Sequence, residues 1–105
     1  MSELKKDIIE FLKVLADQTR LEILDLLNRK NKTSSEIQLA LNKSQSTISQ
    51  HLKVLANKNL IIFEKINNKG KSIKYYKIKN EEIFKLLVDI KSFVVSNKDI
   101  IDTLF

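Results

Sequence analysis

Apolar residues recur every three or four positions through most of the chain and change to a strand-like pattern only once. From Glu3 to Leu15 the spacing is kept by Leu4, Ile8, Phe11, Leu12 and Leu15, with Lys5, Lys6, Asp7, Glu10 and Lys13 on the other side, which predicts a first amphipathic helix. Asp17 stands where it would cap a second helix over Gln18 to Asn28, whose Leu21, Ile23, Leu24 and Leu27 are expected to face inward. The polar run Arg29-Lys30-Asn31-Lys32 ends it. Thr33-Ser34-Ser35-Glu36 has the form of a capping box and opens a short third helix, with Ile37 and Leu41 inward and Ala40 permitting close approach, that stops at Asn42-Lys43. Ser44 follows at once as the cap of a fourth helix, in which Ile48, Leu52 and Leu55 fall at i, i+4 and i+7. Asn57-Lys58-Asn59 closes it, Asn59 being the expected left-handed residue.

Leu60 to Ile66 and Ser72 to Lys79 are rich in Ile, Phe and Tyr and flank Asn67-Asn68-Lys69-Gly70-Lys71, which holds the single glycine of the chain. This predicts a β-hairpin with a glycine-assisted turn. Tyr76 and Ile78 share the face expected to be core, and Tyr75 points the other way. A fifth helix from Glu81 to about Val95 carries two apolar stripes, one of Ile83, Leu87, Ile90 and Val94 and one of Phe84, Leu86 and Phe93, more than a single small core requires. A separate final segment, Lys98 to Phe105, adds Ile100, Ile101, Leu104 and Phe105. The order is therefore α-α-α-α-β-β-α: a mainly α chain with one small hairpin, a single domain over residues 1–105, built as a winged helix-turn-helix with so short a joint between the third and fourth helices that the two cross steeply.

The outer face of the fourth helix holds Ser46, Ser49, Gln50 and Lys53, where a solvated helix usually carries Glu and Lys. Short hydroxyls and an amide permit close approach, and Gln pairs bidentately with the N6/N7 edge of adenine in a major groove wide enough for a helix. Charge sharpens this reading. The net +6 is not spread evenly: residues 1–41 carry seven basic and seven acidic side chains, whereas residues 42–79 carry nine lysines against Glu64 alone. A basic excess confined to the segment of the recognition helix and hairpin is the footprint of a nucleic-acid binder. Lys65, Lys69, Lys71, Lys74 and Lys77 make the hairpin a wing suited to a phosphate backbone. Its bland counterpart is a well-solvated hairpin.

Composition removes several classes. At 105 residues and 43% hydrophobic the chain suits one compact core, and with no cysteine it offers neither disulfide, thiolate metal site nor cysteine nucleophile. No long apolar run marks a signal peptide or membrane span, so a cytoplasmic location is expected. His51 is the only histidine and lacks ligand partners; it reads as an imidazole at the edge of the buried stripe, bonded to a neighbour or a phosphate. Asp17, Glu22, Asp25 and Glu36 are dispersed as caps and surface charge. Without a Gly-rich loop or a nucleophile-and-base set, neither an enzyme nor a cofactor is expected.

The run Leu15-Ala16-Asp17-Gln18-Thr19-Arg20-Leu21-Glu22-Ile23-Leu24, then Ser44-Gln45-Ser46-Thr47-Ile48-Ser49-Gln50-His51-Leu52-Lys53-Val54-Leu55 and Asn59-Leu60-Ile61, resembles the ArsR-type (arsenic-repressor-like) winged-helix transcription regulators over about residues 4–79. The resemblance implies a homodimeric repressor on double-stranded operator DNA, with the first and last helices as dimer interface and Gln45, Ser46, Thr47, Ser49 and Gln50 toward the major groove. Gln45 sits nearer the buried edge by helical phase and reaches DNA only from the first turn. Lys43, Lys53, Lys69, Lys71 and Lys74 are assigned to phosphates. A palindromic operator follows from two-fold symmetry, with half-sites roughly 10 bp or a multiple apart. The family's metal sensors use a Cys-containing run near the third helix or Asp and His on the last; Lys32 to Gln38 has no Cys, and the last helix has Asp89 but no His. No metal site is expected, and no effector is implied. The alternative keeps the fold and drops the DNA: a winged-helix protein-protein assembly module whose wing meets an acidic partner.

Overall fold

The computed structural model describes residues 2–104, with side chains through residue 98. Its elements are α1 (Glu3–Leu15), α2 (Gln18–Arg29), α3 (Ser34–Leu41), α4 (Gln45–Asn57), β1 (Ile61–Asn68), β2 (Lys71–Ile78) and α5 (Glu82–Leu104). Each of the first four helices begins where a side chain takes over an orphan amide. Ser2 accepts from the amide of Lys5, Asp17 from Arg20, Thr33 from Glu36 and Ser44 from Thr47. The predicted capping box is complete, because the Glu36 carboxylate accepts in return from the amide of Thr33 at 2.9 Å.

Two helix ends depend on asparagine. Asn59 is left-handed (φ 60°), and behind it the amide of Leu60 donates to the Leu55 carbonyl at 3.1 Å and that of Asn59 to Ala56 at 3.0 Å. These are the paired bonds of a Schellman closure. Asn42 ends α3 in the same conformation (φ 54°), and Lys43 donates to the Gln38 carbonyl, so the chain reverses within three residues and α4 starts at Gln45.

The core forms where the inward stripes of three helices meet. Ile23, Leu24 and Leu27 of α2, Ile37 of α3, and Ile48, Leu52 and Leu55 of α4 are buried, joined by Val14, Leu15, Leu60, Ile61 and Ile83. Each such side chain contributes roughly 1.5–3 kcal/mol on burial. Tyr76 and Ile78 pack against this cluster from β2, as their shared face implies. The hairpin is antiparallel in a register that pairs Ile61 with Ile78, Phe63 with Tyr76, Lys65 with Lys74 and Asn68 with Lys71. Lys32 exchanges two backbone bonds with Tyr76, at 3.1 and 2.8 Å, adding a one-residue bridge that fastens the wing to the entry of α3.

Several expectations are corrected. Leu21 is exposed, on the flank of the stripe that Ile23, Leu24 and Leu27 bury, and Ala40 is exposed rather than closing a helix contact. The wing turn has two residues, not five. Lys69 (φ 52°) and Gly70 (φ 80°) both have positive φ, the twist that continues strand pairing to Asn68 and Lys71. Lys69 bears about 1 kcal/mol of backbone strain for this. The predicted break after Val95 is absent, and α5 runs unbroken to Leu104. Neither Gly nor Pro interrupts it, and Asn97 donates to the carbonyl of Phe93 at 2.8 Å instead of ending the helix. Ile100, Ile101 and Leu104 thus lie on helical backbone, their side chains outside those described; Phe105 lies outside the described residues.

Ile48, fully enclosed, and Leu39, which is 84% exposed on α3, separate packing from composition. Ile48→Ala is expected to lower unfolding free energy by about 2–5 kcal/mol and Leu39→Ala to change it by under about 0.5 kcal/mol, measured by urea denaturation.

Candidate nucleic-acid interface

With the stripe of Ile48, Leu52 and Leu55 buried, α4 turns Ser46, Ser49, Gln50 and Lys53 outward, all of them exposed. Gln45, in the first turn, is exposed as well. Thr47 is half-buried: its side-chain oxygen accepts from the Ser44 hydroxyl at 2.9 Å, and Ser44 also lies 3.3 Å from Ser46. The start of α4 is therefore a knot of three hydroxyls. Ser44 is spent on the cap, while Ser46 keeps an exposed oxygen. Lys43 stands exposed beside this knot, in the α3–α4 turn.

The wing presents two unlike faces. One carries Phe63, Lys65, Lys74 and Tyr76: the Phe63 and Tyr76 rings lie 5.9 Å apart at 59°, and the Lys74 ammonium sits 4.6 Å from the Phe63 centroid. That contact steadies Lys74 directly opposite Lys65, a like-charge pair that is costly unless an anion approaches. Lys69 and Lys71, at and beside the turn, are exposed. The other face is neutralised where it was expected to bristle. Lys77 is half-buried and paired with the Glu64 carboxylate, so it leaves the set of outward lysines. Lys58 pairs with Glu10 of α1 at 3.0 Å. Among the described residues, Lys43, Lys53, Lys65, Lys69 and Lys71 have no acidic partner. The local excess of cations falls on the side bearing α4 and the wing tip.

A network at the root of α4 was not anticipated from the sequence. The Arg20 side chain, only 17% exposed, donates through Nε to the Val14 carbonyl at 2.6 Å, and through its terminal nitrogens to the Lys13 carbonyl at 3.3 Å and to His51 Nδ1 at 3.1 Å. Its guanidinium lies 4.0 Å from Asp17. His51 is thus bonded to a neighbour, as expected, but the neighbour is a cation. The signal was in the spacing: Arg20 shares the i, i+3, i+4, i+7 stripe of Ile23, Leu24 and Leu27, and His51 that of Ile48, Leu52 and Leu55. A charged side chain on an inward stripe needs partners.

Two carboxylates hold their protons less tightly than usual. The backbone amide of Arg20, and then its guanidinium charge, outweigh partial burial and lower the pKa of Asp17. The Thr33 amide, then its hydroxyl, lowers that of Glu36. Among the described residues, no three of His, Cys, Asp and Glu gather as a metal site would require.

Comparisons place this geometry. Residues 17–62, from the α2 cap through the start of the wing, match the model of the bacterial regulatory protein arsR family. The arsenical resistance operon repressor of Staphylococcus xylosus is 32% identical over 98 residues, covering 93% of this chain and 83% of that protein, and the repressor of the same name from Bacillus subtilis (strain 168) is 39% identical over 87 residues. This chain belongs to the arsR family. Its fold is shared with the crystal structure of M. tuberculosis Rv0081 (TM-score 0.81, 26% identity, 93% of this chain and 98% of that one). It is shared also with the solution structure of the homodimeric winged helix-turn-helix DNA-binding domain of Mb0332 from Mycobacterium bovis (TM-score 0.72, 25% identity, 95% and 91%). As a member of the arsR family it is a DNA-binding transcriptional regulator with a winged helix-turn-helix.

A carboxylate whose folded pKa is depressed stabilises the fold above the ordinary carboxylate range, and that contribution is lost as pH falls through the lowered value. Asp17→Asn and Glu36→Gln keep an acceptor but no charge. The double variant is expected to unfold a few tenths to about 1 kcal/mol more easily per site near pH 7 and to converge with the unsubstituted protein as pH falls through the lowered carboxylate values, followed by thermal melts from neutral to acid pH.

Proposed function

We propose that the protein is a homodimeric repressor that occupies a palindromic operator, each protomer reading bases with Ser46, Thr47, Ser49 and Gln50 and holding phosphates with Lys43, Lys53, Lys69, Lys71 and Lys74. Gln45 joins the base-reading set from the first turn. The observation that carries the reading is the shared exposure of the polar α4 face and the unpaired lysines around it. The curated relatives are named repressors, and the Mb0332 domain is described as homodimeric. In a symmetric pair the two α4 helices meet major grooves about one turn apart, roughly 34 Å.

The dimer reading has its own support. Leu4, Ile8 and Leu12 lie exposed along one side of α1, and Val88, Ile90, Phe93, Val94 and Val95 along α5. Phe93 is 70% exposed. Apolar surface of this extent on one protomer marks an interaction site, and a second copy supplies matching stripes. The single domain thus spans the described chain, with its first and last helices reserved for the partner.

Arsenic and soft transition metals are held by thiolates. The 105 residues include no cysteine, so they do not fit such a ligand. DNA binding here is electrostatic positioning by lysines together with direct readout by α4. The family assignment and the cation-rich wing favour DNA over an acidic protein partner. No helix among the described residues is long and apolar enough to cross a membrane, in keeping with a cytoplasmic regulator.

Selection of bound duplexes from a random pool is expected to return a palindrome; an asymmetric or featureless consensus contradicts the proposal. Lys69→Ala with Lys71→Ala should weaken binding to every sequence and reduce the log-log salt slope by about 0.9 per lost phosphate contact. Gln50→Ala should relax preference at one base pair by about 1–3 kcal/mol while leaving that slope in place. Phe93→Asp should shift sedimentation from dimer to monomer and reduce affinity for the selected duplex at least tenfold.

A further inference from the structure

Arginine carries only donors, so the 3.1 Å contact between Arg20 and His51 assigns the acceptor role to His51 Nδ1 and the proton of the neutral ring to Nε2. The same guanidinium reaches two carbonyls at the end of α1 while its backbone amide is capped by Asp17. It is therefore a side chain of α2 that grips α1 on one hand and α4 on the other. Imidazole is the group that changes charge between about pH 8 and 5. A second proton would occupy the lone pair that Arg20 uses and set a cation against a cation.

We propose that Arg20 and His51 form a proton-sensitive tie that aims the recognition helix: with His51 neutral, α4 is held in its DNA-reading orientation, and with His51 charged the tie opens. Arg20 and His51 are positioning residues here, since neither is assigned to DNA, and the inference rests on the DNA-binding reading above. Charged groups of both signs stand near His51. Arg20 opposes the imidazolium at contact distance, and Asp17 favours it from behind Arg20. Other acids on elements packed against α4 are engaged: Glu22 with Gln18, Asp25 with Arg29, Glu36 with Thr33 and Glu64 with Lys77. Glu10 of α1 is taken by Lys58, just past the end of α4. A proton on Nδ1 removes the lone pair that Arg20 uses, so acid opens the tie.

His51→Asn tests this, because its side-chain oxygen stands near the place of Nδ1, accepts from Arg20 and takes no proton. Binding of a duplex selected from the random pool is measured by anisotropy at about pH 7.5 and about pH 5.5. The unsubstituted protein should lose roughly three- to tenfold more affinity than His51→Asn over that interval, with random duplex at low salt changing less than about twofold. Equal losses in the two proteins, or a gain on acidification from the added charge, overturn the proposal. Two readouts need no DNA. Nitrogen NMR at about pH 7.5 should show His51 protonated on Nε2, and acidification should lower the melting midpoint of the unsubstituted protein more than that of His51→Asn. An Nδ1-protonated ring, or parallel melting profiles, overturns the tie. A protein that binds no duplex at all overturns the preceding reading instead, and the tie is then decided by these two readouts.

Discussion

The arrangement depends on burying one narrow stripe, Ile48, Leu52 and Leu55, against the stripes of α2 and α3. A helix of 13 residues is marginal by itself in water, and its rotational setting comes from what it buries. Because α4 is fixed from its apolar side alone, the opposite face is left to short hydroxyls, an amide and a lysine. The same fact gives the Arg20 contact its leverage. It meets α4 at His51, on the margin of the buried stripe, where it adds one directional bond to the apolar packing.

Much of this was legible from residue order because local chemistry and tertiary packing agree in the first half of the chain. Asp17, the Thr33–Glu36 box and Ser44 cap helices as their spacing requires, and Asn59 adopts the left-handed conformation expected of it. The polar face of α4 was visible as a substitution of character, Ser and Gln where Glu and Lys are usual. Its exposed members are the same residues that the stripe's phase turns outward.

What could not be read involved pairing across distance. The Lys32 bridge to Tyr76 joins a stretch that reads only as a polar break to a strand 44 positions later, and no periodicity announces it. Lys77 looked like one more wing lysine until the register placed it diagonally across from Glu64. The two-residue turn was obscured because Lys69 is an unfavourable left-handed residue, accepted where the ladder on both sides outweighs its strain. Leu21 was assigned inward by its type, whereas the stripe completed by Arg20 shows which side of α2 the core occupies. In each case composition spoke for one reading and a partner distant in sequence decided another.

The outer helices extend this economy of contacts. In a single protomer α1 buries only Val14 and Leu15, at its last turn, and leaves Leu4, Ile8 and Leu12 uncovered. The carbonyls that Arg20 grips belong to that same last turn, Lys13 and Val14. Whatever covers the apolar stripe of α1 therefore acts on a helix whose end is bonded to the side chain that also holds His51. A rigid helix transmits a displacement along its length, and the guanidinium fork has fixed geometry, so moving the carbonyls changes the bond available to α4. A contiguous set of named bonds thus runs from the last turn of α1 through Arg20 to His51 on α4. The bond between Arg20 and His51 is directional, and its acceptor is a group able to lose its lone pair.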